Sequence, residues 1–143
     1  MNEIKFIKFL LLKGNFKILG IDYGEKNIGL SIYIYKYKII IPIKIIEFGI
    51  EKNIYDIIKC KNIDGIVIGK VSVDSEIKLS LFEKIKKNTG LQVIYQDERY
   101  TSGISMKILK VFKLKRKKRD KLYNIISSKL ILDFFLKKYN YIL

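Results

Sequence analysis

Ile18–Ser31 reads I-L-G-I-D-Y-G-E-K-N-I-G-L-S, an apolar run ending on one carboxylate, Asp22, among Gly20, Gly24 and Gly29. A second apolar run, Leu30 to Tyr35, follows at once. A carboxylate inside an otherwise buried strand is expensive to desolvate unless a cation or hydrogen-bond donors meet it. The flanking glycines let another backbone, a phosphate or a metal-bound ligand come close. The pattern marks Asp22 as a site residue and frames the fold: a buried strand, a glycine loop and a returning strand.

Working outward, Phe16–Asp22, Gly29–Tyr37 and Lys38–Gly49 predict an antiparallel meander, with Pro42 assigning the third strand to an edge or a bulge. Asn53 is placed to cap a short helix, Ile54–Cys60. Asp64–Gly69, D-G-I-V-I-G, is a compact apolar strand. Asp74 or Ser75 caps a helix that carries Ile77, Leu79, Leu81, Phe82 and Ile85 and ends at Gly90. Leu91–Asp97 predicts another strand, Thr101–Phe112 a helix, and Asp120–Tyr139 a last amphipathic helix after a basic loop. The fold class is therefore α/β: a five-stranded mixed sheet, three antiparallel strands then two parallel additions, flanked by helices. Residues 1–16 read as an N-terminal extension to a single domain over 17–143. Tyr33, Tyr35 and Tyr37 alternate along one strand face and read as sheet surface or core rim.

Composition bounds the function. Lys and Arg total 29 against 14 Asp and Glu, a net charge of +15, which implies a polyanionic partner, nucleic acid or an anionic membrane face. An AT-rich coding sequence also enriches Ile, Lys, Asn, Tyr and Phe, so part of the lysine excess has that second source. No stretch approaches the ~18 consecutive apolar residues of a membrane span. The apolar patch Phe6–Leu12 is broken by Lys8 and Lys13 and lacks a small-residue cleavage site. A cytoplasmic protein with no membrane partner is expected, as a monomer or homodimer. Cys60 is the one cysteine; it cannot form an intramolecular disulfide and is expected as a buried thiol at a helix end. With no histidine and one cysteine, structural zinc and Ser-His-Asp chemistry are excluded.

Acidic groups recur at three places: Asp22; the Asp97-Glu98-Arg99 triplet; and the final helix, with Asp120, Asn124 and Asp133. Ligands of open α/β sheets gather beyond the carboxyl ends of parallel strands, so Asp22 and the triplet share an edge if the first and fifth strands run alike. Oxygen donors without histidine suit Mg²⁺ or Mn²⁺. Two such ions ~4 Å apart stabilise attacking and leaving oxygens without a histidine base. Between Lys107 and Lys121 stand nine Lys or Arg residues, among them Lys113, Lys115, Arg116, Lys117, Lys118 and Arg119, opposed by Asp120 alone. Such a run is either a solvated face or a phosphate clamp. Neutralising ~5 phosphates would give a log–log salt slope of roughly −3.5 on single strands. Lys26, in the glycine loop, is either a phosphate contact or solvent-exposed. Thr101 and Ser102 can cap a helix, and Arg99 can orient Glu98 or Asp97 or touch substrate.

Four segments together resemble one family. G-I-D-Y-G-E-K-N-I-G-L-S is similar to the first motif of the YqgF family, ribonuclease H-like proteins related to Holliday-junction resolvases and described as pre-16S ribosomal RNA nucleases. D-G-I-V-I-G resembles its fourth-strand motif, D-E-R-Y-T-S at Asp97–Ser102 its D-E-R-hydrophobic-T-T motif, and Asn124–Leu136 its last helix. The resemblance covers about Lys17 to Leu136. It implies a ribonuclease H-like domain, one or two Mg²⁺ or Mn²⁺ ions, and hydrolysis of RNA phosphodiesters in 5′-end maturation of pre-16S RNA. Structured DNA is the alternative substrate, and a binding module with weak or lost cleavage the alternative function. Carried over, Asp22 and Glu98 are metal ligands, and Asn124 stands where the family has an aspartate. Asp97, Asp120 and Arg99 are auxiliary, and strand alternation sends only one of Asp97 and Glu98 to the metal. Lys26, Thr101 and the basic run would contact nucleic acid. The chain departs from the family at Asn27, where a basic residue is usual, at Val71, where proline is common, and at Asn124. An actin-like ATPase would need a second phosphate-loop domain, for which the chain has little room.

Overall fold

The computed structural model describes residues 3–24, 27–47, 52–70, 76–97, 107 and 116–139. The elements are α1 (Glu3–Lys13), β1 (Lys17–Tyr23), β2 (Asn27–Ile34), β3 (Ile39–Glu47), α2 (Lys52–Cys60), β4 (Gly65–Lys70), α3 (Glu76–Thr89), β5 (Gln92–Asp97) and α4 (Arg116–Lys137). They build one five-stranded sheet in the order β3-β2-β1-β4-β5. The meander pairs antiparallel, and β4 and β5 add in parallel beyond β1. This is the α/β architecture that the alternation of apolar runs and turns predicts.

Helices cover both sheet faces, so the central strand is a near-continuous apolar run instead of an alternating one. One face gathers Leu19, Ile21, Tyr23, Ile66 and Ile68 under Ile54 and Ile58 of α2 and Phe82 and Ile85 of α3. The other gathers Ile18, Tyr33, Val67 and Ile94 under Phe6, Ile7 and Leu10 of α1 and Ile131, Leu132 and Phe135 of α4. Each fully buried Leu, Ile or Phe contributes about 1.5–3 kcal/mol, so α1 and α4 are held chiefly by these contacts. Phe6 meets Phe135 edge-on with ring centroids 6.0 Å apart, and its ring fills the space a Cβ at Gly65 would take. Lys138 Nζ lies 3.4 Å from Glu3 Oε1, and the Tyr139 hydroxyl donates to Glu3 Oε2. Residues 3–13 thus pack into the same core as the rest of the sheet. Among the described residues no helix is long and apolar enough to cross a membrane.

Several local expectations change. Pro42 lies on edge strand β3 and at a bulge: Leu30 pairs with Lys44 and Ser31 with Pro42, leaving Ile43 extra. β2 stops at Ile34, and a turn over residues 35–38 follows, with Lys38 at φ 55°. The three tyrosines therefore do not share a strand face: Tyr33 is buried, Tyr35 is half-buried and Tyr37 is exposed. α2 begins at Lys52, so Asn53 lies inside its first turn and is not its cap. Cys60 does end that helix, but its thiol is exposed; it sits about 200° around the axis from inward Ile58. The helix closes on Asn62 at φ 53°, with Ile63 N donating to Ile58 O at 3.1 Å and Asn62 N to Lys59 O at 3.4 Å, a Schellman ending. The last helix starts at Arg116, so Arg116–Arg119 belong to its first turn and not to a loop. The helix expected over Thr101–Phe112 lies outside the described residues, Lys107 excepted, as do Asp74 and Ser75, the caps expected for α3.

Candidate active site

Alternation along β1 places Ile18, Gly20 and Asp22 on the face that α4 covers. Glycine is needed there because α4 lies against the strand backbone. A Cβ at Gly20 would stand 2.5 Å from Leu132 Cγ, and one at Gly29 only 2.0 Å from the main-chain oxygen of Asn124. Of the approaches the glycine motif permits, two are therefore taken by the helix. Small residues on α4 match them: Ser128 Oγ lies 2.6 Å from Ser31 Oγ and donates to Ile125 O at 2.7 Å.

This docking brings Asn124 to Asp22. Gly29 is the ladder partner of Asp22, and the Asn124 backbone rests on it. Gly24, two residues beyond Asp22 and just past the end of β1, would place a Cβ 2.8 Å from both Nδ2 and Oδ1 of Asn124. Asn124 Nδ2 donates to Asn27 O at 2.9 Å, the carbonyl that also accepts Gly24 N at 3.0 Å. With Nδ2 so engaged, Oδ1 is the amide atom left to serve as an acceptor or metal ligand. Both side chains are enclosed, Asp22 at 5% exposure and Asn124 at 7%. A buried carboxylate beside an oriented amide oxygen is a hard-oxygen donor set, which fits Mg²⁺ or Mn²⁺ and does not fit zinc.

β1, β4 and β5 are mutually parallel, so the first and fifth strands do run alike, and their carboxyl ends share one edge. Ile94 and Gln96 share the α4 face. Gln96 pairs with Gly69, the residue after Ile68, which itself pairs with Ile21. Gln96 therefore stands in Asp22's row, about 10 Å across the sheet. It is buried and its Oε1 accepts Lys138 Nζ at 2.6 Å. Sequence reading passed over Gln96, although strand alternation from Ile94 would have found its face.

Asp97 closes β5, and Asp120, Arg116 and Lys117 lie in α4; their main chain alone is described. Asp120 meets the condition set for it, since the helix extends past it. Lys118 is exposed and Arg119 half-buried. Lys26, Glu98, Arg99, Thr101, Lys113 and Lys115 lie outside the described residues. Among the described residues no three His, Cys, Asp or Glu gather into a metal cluster.

Comparison with known proteins gives a consistent picture. The family profile described as RuvX, Holliday junction resolvase, matches residues 16–138. A protein of Rickettsia bellii (strain OSU 85-389), named "Putative pre-16S rRNA nuclease", is 31% identical over 144 residues, covering 92% of this chain and 93% of its own. One of the same name from Rickettsia typhi is 30% identical, covering 92% and 94%. Among solved structures, the fowlpox virus Holliday junction resolvase superposes with a TM-score of 0.58 at 18% identity, covering 86% of this chain and 99% of that one. T. thermophilus RuvC in complex with a Holliday junction substrate gives 0.52 at 10% identity, covering 86% and 96%. At these identities the two structures speak to the fold.

Proposed function

This chain belongs to the RuvX family of Holliday junction resolvases, and from that membership we propose that it is a metal-dependent nuclease hydrolysing RNA phosphodiesters in 5′-end maturation of pre-16S ribosomal RNA, in the cytoplasm. The observation that supports the reading is the docking of α4, which sets Asn124 against Gly29, the ladder partner of buried Asp22, and against Gly24, two residues past it. The names of the relatives near 30% identity support RNA as substrate. The family's own description keeps branched DNA as the second reading.

Asp22 is the first-strand ligand for Mg²⁺ or Mn²⁺. Glu98 follows Gln96 by two positions in the sequence and is proposed as the second ligand, with Asp97, Asp120 and Arg99 in support. Asn124 contributes a neutral oxygen where the family has a charged one, so a second ion is held more weakly. A bound divalent ion offsets charge on the attacking and leaving oxygens and lowers the pKa of water. The protein's part is to orient: α4 fixes Asn124 through Asn27 O, and burial excludes bulk water from Asp22.

Substrate binding falls to the basic run. The first turn of α4 holds Arg116, Lys117, Lys118 and Arg119 and no acidic residue. Cations at a helix N-terminus oppose the macrodipole by about 0.3–1 kcal/mol each at low salt, a cost that bound phosphates relieve. The turn precedes Asn124 by eight positions from Arg116, about 12 Å along the helix axis, within reach of a strand held at Asp22. Lys26 and Thr101 are proposed as further contacts.

The test incubates purified protein with precursor 16S RNA, and separately with a four-way DNA junction, in Mn²⁺ beside an Asp22→Asn control. Metal-dependent cleavage of the RNA that the control lacks is expected. Cleavage that persists in Asp22→Asn refutes the assignment, and tight binding without cleavage would make the protein a binding module.

A further inference from the structure

The sheet has a second edge, opposite the carboxyl ends, and a cavity of about 380 Å³ opens there among Asn15, Lys17, Lys36, Tyr37, Asn62 and Asp64. Asp64 Oδ2 accepts the Lys17 amide at 2.9 Å and Oδ1 pairs with Lys13 Nζ at 3.3 Å, so the single lining carboxylate is already engaged by this chain. Lys17 Nζ is turned to Lys61 O at 3.1 Å. The hairpin turn supplies the other wall. Tyr35 stacks on Phe16 with centroids 4.4 Å apart, Lys38 Nζ sits over the Tyr35 ring, and Lys36 Nζ lies 5.4 Å from the centre of the Tyr37 ring. Tyr37 itself is 62% exposed. A mostly exposed aromatic ring with one ammonium group over one face, the other face available for stacking, and the lining carboxylate already engaged has the chemistry of a nucleotide seat: base on ring, phosphate on lysine.

We propose that this cavity is a second substrate contact, in which an unpaired nucleotide stacks on Tyr37 while its phosphate is held by Lys36. The proposal rests on the nuclease reading in one respect, that the polyanion recognised is nucleic acid. Lys17 and Asp22 are five residues apart on β1, so the two contacts are separated by about 17 Å. At the 3.4 Å spacing of a stacked strand roughly five nucleotides cover that distance, and an extended unpaired strand covers it with fewer.

The probe is a labelled 20-nucleotide single-stranded RNA followed by anisotropy across a salt series, with Tyr37→Ala, Tyr37→Phe and Lys36→Ala. Tyr37→Ala should weaken binding about tenfold, within the range for loss of one stacked base, and Tyr37→Phe should bind as the parent does. Lys36→Ala should flatten the log–log salt slope by about 0.7, one phosphate on a single strand. Both residues project from an exposed turn, and the Lys36 arm keeps a readout independent of any effect of Tyr37 on folding. Parent-like affinity in Tyr37→Ala together with an unchanged slope in Lys36→Ala would overturn the proposal. Its failure is separable from that of the nuclease reading, because Asp22→Asn tests cleavage alone and leaves this cavity intact.

Discussion

Gly29→Ala is the sharpest perturbation of the site. The added Cβ would stand 2.0 Å from Asn124 O, 2.2 Å from its carbonyl carbon and 2.6 Å from Ile125 N. Carbon and carbonyl oxygen tolerate an approach of about 3.3 Å, so α4 has to withdraw by about 1.3 Å at that point. All three opposing atoms are helix backbone, and no rotamer relieves them. Overpacking of this kind costs about 1–3 kcal/mol. Withdrawal also breaks the bond from Asn124 Nδ2 to Asn27 O, worth about 1 kcal/mol. The expected loss is about 2–4 kcal/mol, against a total stability of about 5–15. At about 4 °C per kcal/mol for a domain this long, Tm falls by roughly 8–16 °C. Gly20→Ala is the internal comparison, because its Cβ meets the Leu132 side chain at 2.5 and 2.8 Å. Leu132→Ala should therefore recover part of the Gly20→Ala loss, whereas Asn124→Ala should recover none of the Gly29→Ala loss. Urea unfolding followed by circular dichroism measures both cycles. RNA cleavage should fall with Gly29→Ala by up to about a hundredfold, the scale of a 1 Å misplacement. If Gly29→Ala unfolds at the parental midpoint, or Asn124→Ala rescues it, the account of helix docking is wrong.

Three further outcomes are expected. Asn124→Asp restores a charged third oxygen but gives up the donor to Asn27 O, so Mn²⁺ should raise its Tm more than it raises the parent's; equal gains would refute the ligand role. Ser128→Ala strands the buried Ser31 hydroxyl at a cost of about 1–3 kcal/mol, and Ser31→Ala/Ser128→Ala should cost no more than that single change. A clearly larger loss in the double variant, read from urea midpoints, would show that the pair is not coupled. Burial first, then the hydrogen bond and charge of Glu3, push the Tyr139 hydroxyl up to about 12 from an ordinary 10. Its stabilising contribution is therefore complete below pH 10 and disappears as pH rises from 10 to 12. Over that window stability should fall more steeply in the parent than in Tyr139→Phe, and parallel pH curves would dismiss the Tyr139–Glu3 contact.

Strand count, order of elements and the burial of Asp22 were legible because each depends on local pattern: apolar runs bounded by glycine, and a carboxylate inside one of them. The parallel run of β1 and β5 was legible as a condition that the topology then met. Boundaries were less so. β2 gives up its last residues to a turn that Lys38 closes in the left-handed region, and α4 begins four residues early, because like charges at Arg116–Arg119 do not prevent a helix whose inner face is anchored further on. Cys60 looked buried by residue type, yet helical phase turns it outward.

By itself the sequence determined the sheet, its two covered faces, the absence of histidine chemistry and the family motifs, since periodicity and composition act over neighbouring residues. Only the tertiary structure decided that Gly20 makes room for the Leu132 side chain and Gly29 for the helix backbone, that the Asn124 amide is turned by Asn27 O, that Gln96 joins Asp22's row, and that Tyr37 stands exposed with Lys36 over its ring at the far edge. Those placements depend on contacts between residues up to 112 positions apart, Gly20 and Leu132, which close packing selects and no local pattern encodes.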